Sequence, residues 1–331
     1  MPLVNKEATK KLQEIFHRPG MTIVPGGTLP WHAVLTERAG YEAFYISGGM
    51  SHRWLLGKPD SGQLTMTEFW QNAKRIVKTV DIPVISDADT GGGTAVNAYR
   101  TVKEYIWAGL AGCHIEDVQH PKGVTTKGQV AGRVMHDRER LISIEEAVGK
   151  LKAAVAAKRE LDRNFVIIGR TDARNGRGGG YEEAIKRGKA YEKIPGVDVI
   201  MFDHMQTWEE AAQALQEIKK PCFHAVAFFA TRDADGNIVQ RYPMPSLEER
   251  ERAGEKIYLG VALSIGPANQ AAWEMLVDFK ERGTQVIEDW RNDVDKKPME
   301  MQLPADLGRR EFLLQMYDKY LPKPPRTRAR R

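Results

Sequence analysis

The chain reads as an α/β protein, a (β/α)8 TIM-type barrel with extra C-terminal helices, and three features of its 331 residues lead there. Short apolar runs alternate with longer amphipathic ones through eight cycles, the pattern of parallel strands joined by helical crossovers. Polar residues crowd the C-terminal ends of those short runs, which is where barrels of this kind carry function. Two further amphipathic stretches follow the eighth run, more than a barrel needs.

The eight expected strands are Met21–Val24, Ala43–Ser47, Ile82–Asp87, Gly112–Glu116, Phe165–Arg170, Val199–Phe202, Cys222–Ala227 and Lys256–Gly260. Between them helical spacing predicts Pro30–Ala39, Met66–Thr79, Asn97–Ala108, Ile144–Lys158, Tyr181–Glu192, Trp208–Ile218 and Leu247–Ala253. Pro30 suits a first helical position, Gly40 and Gly109 suit helix ends, and Ser143 with Glu146 has the form of a capping box. Pro267–Arg282 and Arg309–Tyr320 repeat apolar residues at helical spacing and need a partner surface, on this chain or another. The organisation expected is a catalytic barrel over residues 1–265, C-terminal helices over 266–321 and a disordered basic tail over 322–331.

Bulk properties narrow the function. No apolar stretch approaches the ~20 residues of a membrane span, and the first residues lack the apolar core of a secretory signal. Two cysteines in the whole chain suit a reducing compartment, the cytoplasm. The net charge of +5 owes much to the tail, so no nucleic-acid partner is expected.

Ser86-Asp87-Ala88-Asp89-Thr90-Gly91-Gly92-Gly93 is the most informative stretch. It sets two carboxylates two residues apart where a strand should end, on one side of it. Such a pair repels itself unless a cation intervenes. Glu116 ends the next strand and Asp60 lies in the loop after the second. Four carboxylates with few nearby His or Cys suit Mg²⁺, or Mn²⁺, rather than structural zinc. Arg170 on an apolar strand needs a partner. It can clamp a substrate carboxylate or pair with Asp172 or Glu116. Ser47-Gly48-Gly49 offers backbone N–H groups to an anion. His114 shares a strand face with Glu116, while His204 and His224 read first as structural. Gln119–Arg133, with three glycines and three basic residues, has the look of a charged lid. Arg177-Gly178-Gly179-Gly180 lacks nucleotide-loop spacing, and Cys113 and Cys222 read as small core residues.

At these residues the chain resembles the isocitrate lyase / phosphoenolpyruvate mutase superfamily, over about Thr9 to Glu281. The strings that carry the resemblance are YISGG, PVISDADTGGG, NAYRTVKEYIWAGLAGCHIED and IIGRTDAR. It implies a (β/α)8 barrel in which Mg²⁺ holds a 2-oxo or 2-hydroxy carboxylate and an enolate is stabilised while a C–C or C–P bond changes. It also implies a homotetramer exchanging C-terminal helices. On this resemblance Asp87 is the main metal ligand, with Asp60, Asp89 and Glu116 binding directly or through water. Ser47, Gly48 and Gly49 hold the carboxylate and Arg170 clamps the substrate. The family's lyases carry a lid cysteine as acid/base. Here the lid reads Pro121-Lys122-Gly123-Val124-Thr125-Thr126, with no thiol, and the lid asparagine of the mutases and phosphonopyruvate hydrolases is missing too. His120, Thr125, Thr126 or His204 is left to donate the proton, and the catalytic candidates are Arg170, His114, His204 and Thr125.

The function expected is a Mg²⁺-dependent lyase cleaving a C–C bond of a 2-hydroxy- or 2-oxo-carboxylate by retro-aldol chemistry. The alternatives are a decarboxylase or hydrolase of an oxaloacetate-type 2-oxo acid, and a non-catalytic carboxylate-binding relative. The segment Thr231–Pro245, with Arg232, Arg241 and Tyr242, is expected to help set the second half of the substrate.

Overall fold

Strands that sit between a barrel interior and a ring of helices bury both faces, so they read as near-continuous apolar runs. Eight such runs form one parallel sheet here: β1 (Thr22–Gly27), β2 (Phe44–Ile46), β3 (Val84–Asp87), β4 (Gly112–Ile115), β5 (Val166–Thr171), β6 (Val199–Asp203), β7 (Cys222–Ala225) and β8 (Ile257–Gly260). This computed structural model describes residues 4–120, 122, 129–130, 133–134, 140–225, 230–232, 238–241, 243–261, 263–296 and 310–321. They fall into two compact units that divide between Gly266 and Pro267. No helix among the described residues is long and apolar enough to cross a membrane.

The sheet runs β8-β1-β2-β3-β4-β5-β6-β7 in space. Its two edges meet where Lys256 N donates to Cys222 O at 3.0 Å, so the eight strands make a nearly closed barrel, as the alternating pattern predicts. Side chains alternate between two cores. Tyr45, Ile85, Val166, Ile168, Val199, Met201, Phe223, Ile257 and Leu259 fill the interior. Phe44, Ile46, Val84, Cys113, Ile167, Ile200, Phe202 and Cys222 face the helices. Cys113 and Cys222 are free, buried and held as thiols by burial, which pushes both up.

The interior is floored by a helix that the periodicity did not predict, α1 (Lys6–His17). Asn5 caps it, its Oδ1 accepting from Ala8 N at 3.1 Å. Ala8, Leu12, Ile15 and Phe16 join the interior core, and Phe16 stacks on Phe223 with centroids 6.5 Å apart. The expected crossovers follow as α2 (Pro30–Arg38), α4 (Met66–Val77), α5 (Ala95–Ala108), α6 (Ile144–Leu161), α7 (Tyr181–Glu192), α8 (Trp208–Glu217) and α9 (Leu247–Arg252). An additional helix, α3 (Gly48–Leu56), begins directly at the end of β2. Ser143 Oγ caps α6 by accepting from Glu146 N at 3.1 Å. Two short antiparallel pairs, Gln129–Val130 with Arg133–Val134 and Ala230–Arg232 with Ile238–Arg241, lie outside the barrel sheet.

The second unit holds most of α10 (Ile265–Arg282), then α11 (Gln285–Val294) and α12 (Arg310–Tyr320). α11 had no expectation from spacing. These helices expose large apolar side chains: Trp273 is 66% exposed, Leu276 69%, Phe312 56% and Tyr320 63%. The tail 322–331 lies outside the described residues.

Where β7 meets β8, three polar side chains bind across the seam. Glu255 Oε1 accepts from His224 N at 3.1 Å and sits 3.3 Å from His224 Nδ1. Its Oε2 accepts from Arg250 Nη1 at 2.9 Å, and the guanidinium lies over the rings of Tyr258 and Trp208. His224 therefore faces outward and works in the seam, consistent with its structural reading. Glu255→Ala removes the buried carboxylate that Arg250 and His224 share and is expected to cost about 3–5 kcal/mol of stability. Urea unfolding checks this, and Glu255→Gln should lose less.

Candidate active site at the barrel rim

Period-two alternation carries a polar set into the barrel mouth. Interior positions on each strand continue as Tyr45 and Ser47 beyond β2, Asp87 on β3, His114 and then Glu116 on β4, Arg170 on β5, and Asp203 on β6. All seven sit at C-terminal strand ends.

Asp87, Asp89 and Glu116 come together, with one oxygen from each lying within 4.8 Å of the others. All three are buried. The strand reading put Asp87 and Asp89 on one side through the pleat; the structure reaches that result differently. β3 ends at Asp87, whose Oδ1 accepts from Asp89 N at 2.7 Å, and Asp89 turns back with φ at 44°. Gly91 and Gly92 follow with φ at 79° each, a conformation that favours glycine.

Asp87 is held from several sides. Its carbonyl accepts from Tyr105 Oη at 2.7 Å, and Oδ2 accepts from Gly48 N at 3.2 Å and Tyr45 Oη at 3.5 Å. A Cβ on Gly48 would stand 2.3 Å from that same oxygen, so only glycine lets the turn approach. His114 Nδ1 lies 3.6 Å from Asp87 Oδ1 and its Nε2 meets Tyr45 Oη at 2.8 Å. Burial alone would raise the Asp87 carboxyl. His114, Lys122, Arg170 and the Asp89 N–H outweigh burial and hold it well below the usual carboxylate range. His114 is pushed down to about 4, chiefly by burial, so near neutral pH it is an uncharged imidazole. Burial, with the neighbouring acids Asp87 and Asp60, pushes Asp89 and Glu116 up against the opposing pull of Lys122.

The Ser47-Gly48-Gly49 segment is the start of α3 rather than a plain turn. Ser47 Oγ accepts from Met50 N at 3.3 Å. First-turn N–H groups have no intrahelical acceptor, so this end suits an anion. Gly48 N is already given to Asp87. Asp60 stands beside Gly49, where a Cβ would meet its Oδ2 at 3.0 Å.

Arg170 is both clamped and clamping. Its Nε and Nη2 bind Asp172 at 2.7–3.2 Å, and Nη2 also meets Asp203 Oδ2 at 2.6 Å. Nη1 is turned to Glu116 Oε2 at 3.3 Å and Asp87 Oδ2 at 3.9 Å. The pairing weighed for Arg170 thus exists, and one nitrogen still faces the acidic set. His204, with φ at 61°, is half exposed beside Asp172 and Asp203, with nitrogens 3.7 and 3.9 Å from their carboxylates. Asp117 turns away and ties Asp172 N, Arg187 and Tyr191 together.

Spacing puts Asp203 at the end of the sixth strand but gives it no role, and it does not find Lys122 as a site residue. Asp203 sits with Arg170 because β6 runs one residue further than its apolar run. Lys122, read only as a lid charge, buries its ammonium among the acids, 2.5 Å from Asp89 Oδ1, 3.1 Å from Asp60 Oδ1 and 3.5 Å from Glu116 Oε1. Its position six residues after Glu116 is the only signal the sequence offers. Residues 121, 123–128 and 131–132 of the expected lid, Thr125 and Thr126 among them, and Tyr242 lie outside the described residues. Arg232 and Arg241 are placed by backbone alone.

The donor set fits a hard divalent cation: oxygen ligands only, buried, converging, with Asp89 Oδ2 receiving no hydrogen bond among the described residues. Asp87, Asp89 and Glu116 would hold it, with Asp60 beyond them.

Unfolded histidine takes up its proton near 6.5, but His114 resists until about 4. Across that window the unfolded chain binds more protons, so His114 makes stability fall as pH falls from about 6.5 to 4. In metal-free protein, Tm against pH should therefore be flatter for His114→Gln than for wild type over that interval.

Comparison with known proteins agrees with this geometry. The family model described as phosphoenolpyruvate phosphomutase matches residues 13–242. A 2,3-dimethylmalate lyase of Eubacterium barkeri is 40% identical over 83% of this chain and 86% of its own. Among solved structures, oxaloacetate acetylhydrolase in complex with 3,3-difluorooxalacetate is 28% identical with a TM-score of 0.73, covering 96% of this chain and 95% of its own. Phosphonopyruvate hydrolase in complex with oxalate and Mg²⁺ is 25% identical with a TM-score of 0.75, covering 95% and 99%. With a model spanning more than half its length and a close relative over most of it, the chain belongs to the phosphoenolpyruvate phosphomutase family, within the phosphoenolpyruvate mutase / isocitrate lyase superfamily.

Proposed function

We propose that this enzyme is a Mg²⁺-dependent lyase that cleaves a C–C bond of a 2-hydroxy- or 2-oxo-carboxylate. The observation that carries the reading is the convergence of Asp87, Asp89 and Glu116 beside the α3 N-terminus and Arg170 Nη1. A bound divalent cation would supply Lewis-acid stabilisation for the oxyanion that develops as the bond breaks. Asp87 stays ionised and aligned because Gly48, Tyr45 and His114 hold it. The first turn of α3 receives the substrate carboxylate, and Ser47 fixes that turn. Arg170 Nη1 orients the acid end, with Asp172 and Asp203 fixing the fork from behind. His204, exposed at the rim between two carboxylates, is our candidate to move the proton that the family's lid thiol would otherwise carry. His120, Thr125 and Thr126 are the other candidates.

A decarboxylase or hydrolase of an oxaloacetate-type acid is the second reading. It is favoured by the missing lid thiol and by likeness to an oxaloacetate acetylhydrolase and a phosphonopyruvate hydrolase. Incubating the enzyme with a panel of 2-hydroxy and 2-oxo diacids, with and without Mg²⁺, separates the two. An oxo acid or aldehyde released together with a second carboxylate product means lyase action, CO₂ alone means decarboxylation, and acetate with oxalate means hydrolysis. No turnover on any of them leaves a carboxylate-binding protein. Asp87→Asn should abolish turnover with Tm nearly unchanged. Arg170→Lys should raise KM roughly 10–100-fold, the worth of a charge-assisted hydrogen bond.

We further propose that the exposed apolar side chains of α10–α12 are covered by another copy of this chain, in a homotetramer. Light scattering on the purified protein should give four times the chain mass, and Trp273→Glu with Leu276→Glu should lower it. A wild-type monomer would end this proposal. A cytoplasmic location is the compartment these readings favour, and fractionation of the source cells tests it.

A further inference from the structure

We propose that Lys122 is the acidic set's built-in counter-cation and that a divalent ion enters the site by displacing it. This rests on the metal reading above and adds a competitor to it. Three carboxylates share the ammonium, Asp89 at 2.5 Å, Asp60 at 3.1 Å and Glu116 at 3.5 Å, and the side chain is 4% exposed. A compact ammonium with three donors can serve three separate acids. The approach is built into the backbone. Gly62 has φ at 68°, and a Cβ there would stand 3.2 Å from Lys122 N and 3.1 Å from the His120 ring.

Asp89 and Glu116 are partners of Lys122 and also two of the three residues that would hold the metal. An ion taking oxygens from both would lie close to the ammonium, in a buried setting where like charges repel strongly. The two cations therefore exclude each other. A monovalent ion replaces one positive charge with another and gains nothing, whereas a divalent ion adds a charge to a crowded acidic set. Lys122 thus selects for charge as well as competing for oxygens. Its departure also frees a basic side chain next to the substrate's acid groups.

Calorimetric titration of the full chain with Mn²⁺ tests this without any substrate. Lys122→Met and Lys122→Gln should bind Mn²⁺ roughly tenfold or more tighter than wild type, and Asp89→Asn should lose binding. On unaltered protein, acylation of Lys122 by an amine reagent, followed by peptide mass spectrometry, should be slow without metal. With saturating Mn²⁺ it should be roughly tenfold faster or more. If Asp89→Asn loses Mn²⁺ while the Lys122 variants bind it no more tightly than wild type, the competition is refuted and the metal site stands. A Lys122 labelling rate indifferent to Mn²⁺ refutes it as well, independently of how the variants fold. Mn²⁺ binding to none of these proteins overturns the metal reading, and the role of Lys122 with it.

Discussion

Three carboxylates buried within a few ångströms of one another repel, and the barrel mouth is organised around compensating that repulsion. Asp87 is stabilised as an anion by a helix-start N–H, a turn N–H and a tyrosine hydroxyl, while Asp89 and Glu116 rest on Lys122 and Arg170. Behind this front a second row of acids does different work. Asp172 and Asp203 fix the orientation of Arg170, and Asp117 fixes the backbone of Asp172 while bound to Arg187 and Tyr191. The same residue type thus serves as prospective ligand in front and as scaffold behind, and the division follows from strand register.

Much of this was legible from residue order because strand period and barrel topology are both rigid rules. Once eight apolar runs are taken as parallel strands, every second residue must enter the interior and the last of them must reach the rim. That logic finds Asp87, His114, Glu116 and Arg170 by counting. It fails where regular geometry stops. Asp89 lies past the end of its strand and reaches the set through a reversed φ, so the pleat argument arrived at the right pair by the wrong route. α3 was missed because two glycines opening a helix look like a turn, and its propensity is supplied by Ser47 as a cap and by packing. α1 was missed because it precedes the first strand and belongs to no crossover. Lys122 was the hardest: a long flexible side chain in a glycine-rich segment can face anywhere, and only the buried acids give it a reason to turn inward.

Family membership and the departures from it bear on different parts of the molecule. The strings shared with the superfamily map to strand ends and to α5, the part of the barrel that carries Asp87, Asp89, Glu116 and Arg170. The departures fall on the segment after Glu116, which lacks the family's lid thiol and lid asparagine. A scaffold that holds one end of a substrate firmly and leaves the other end to variable segments is compatible with lyase, mutase and hydrolase outcomes. This is why the identity of the products, rather than the metal site, decides among them.

The floor of the barrel has a consequence for how the chain reaches this state. α1 precedes its partners by a long stretch of chain. Leu12 lies against Gly112, Gln13 bonds to Asn164 and Asp198, and Phe16 stacks on Phe223. It therefore cannot complete its docking until the chain has been made through β7 and those strands have paired. Contacts so distant along the chain slow folding, and until they form, the apolar face of α1 is unsheltered. The plug thus closes the hydrophobic interior only after the staves it seals are in place.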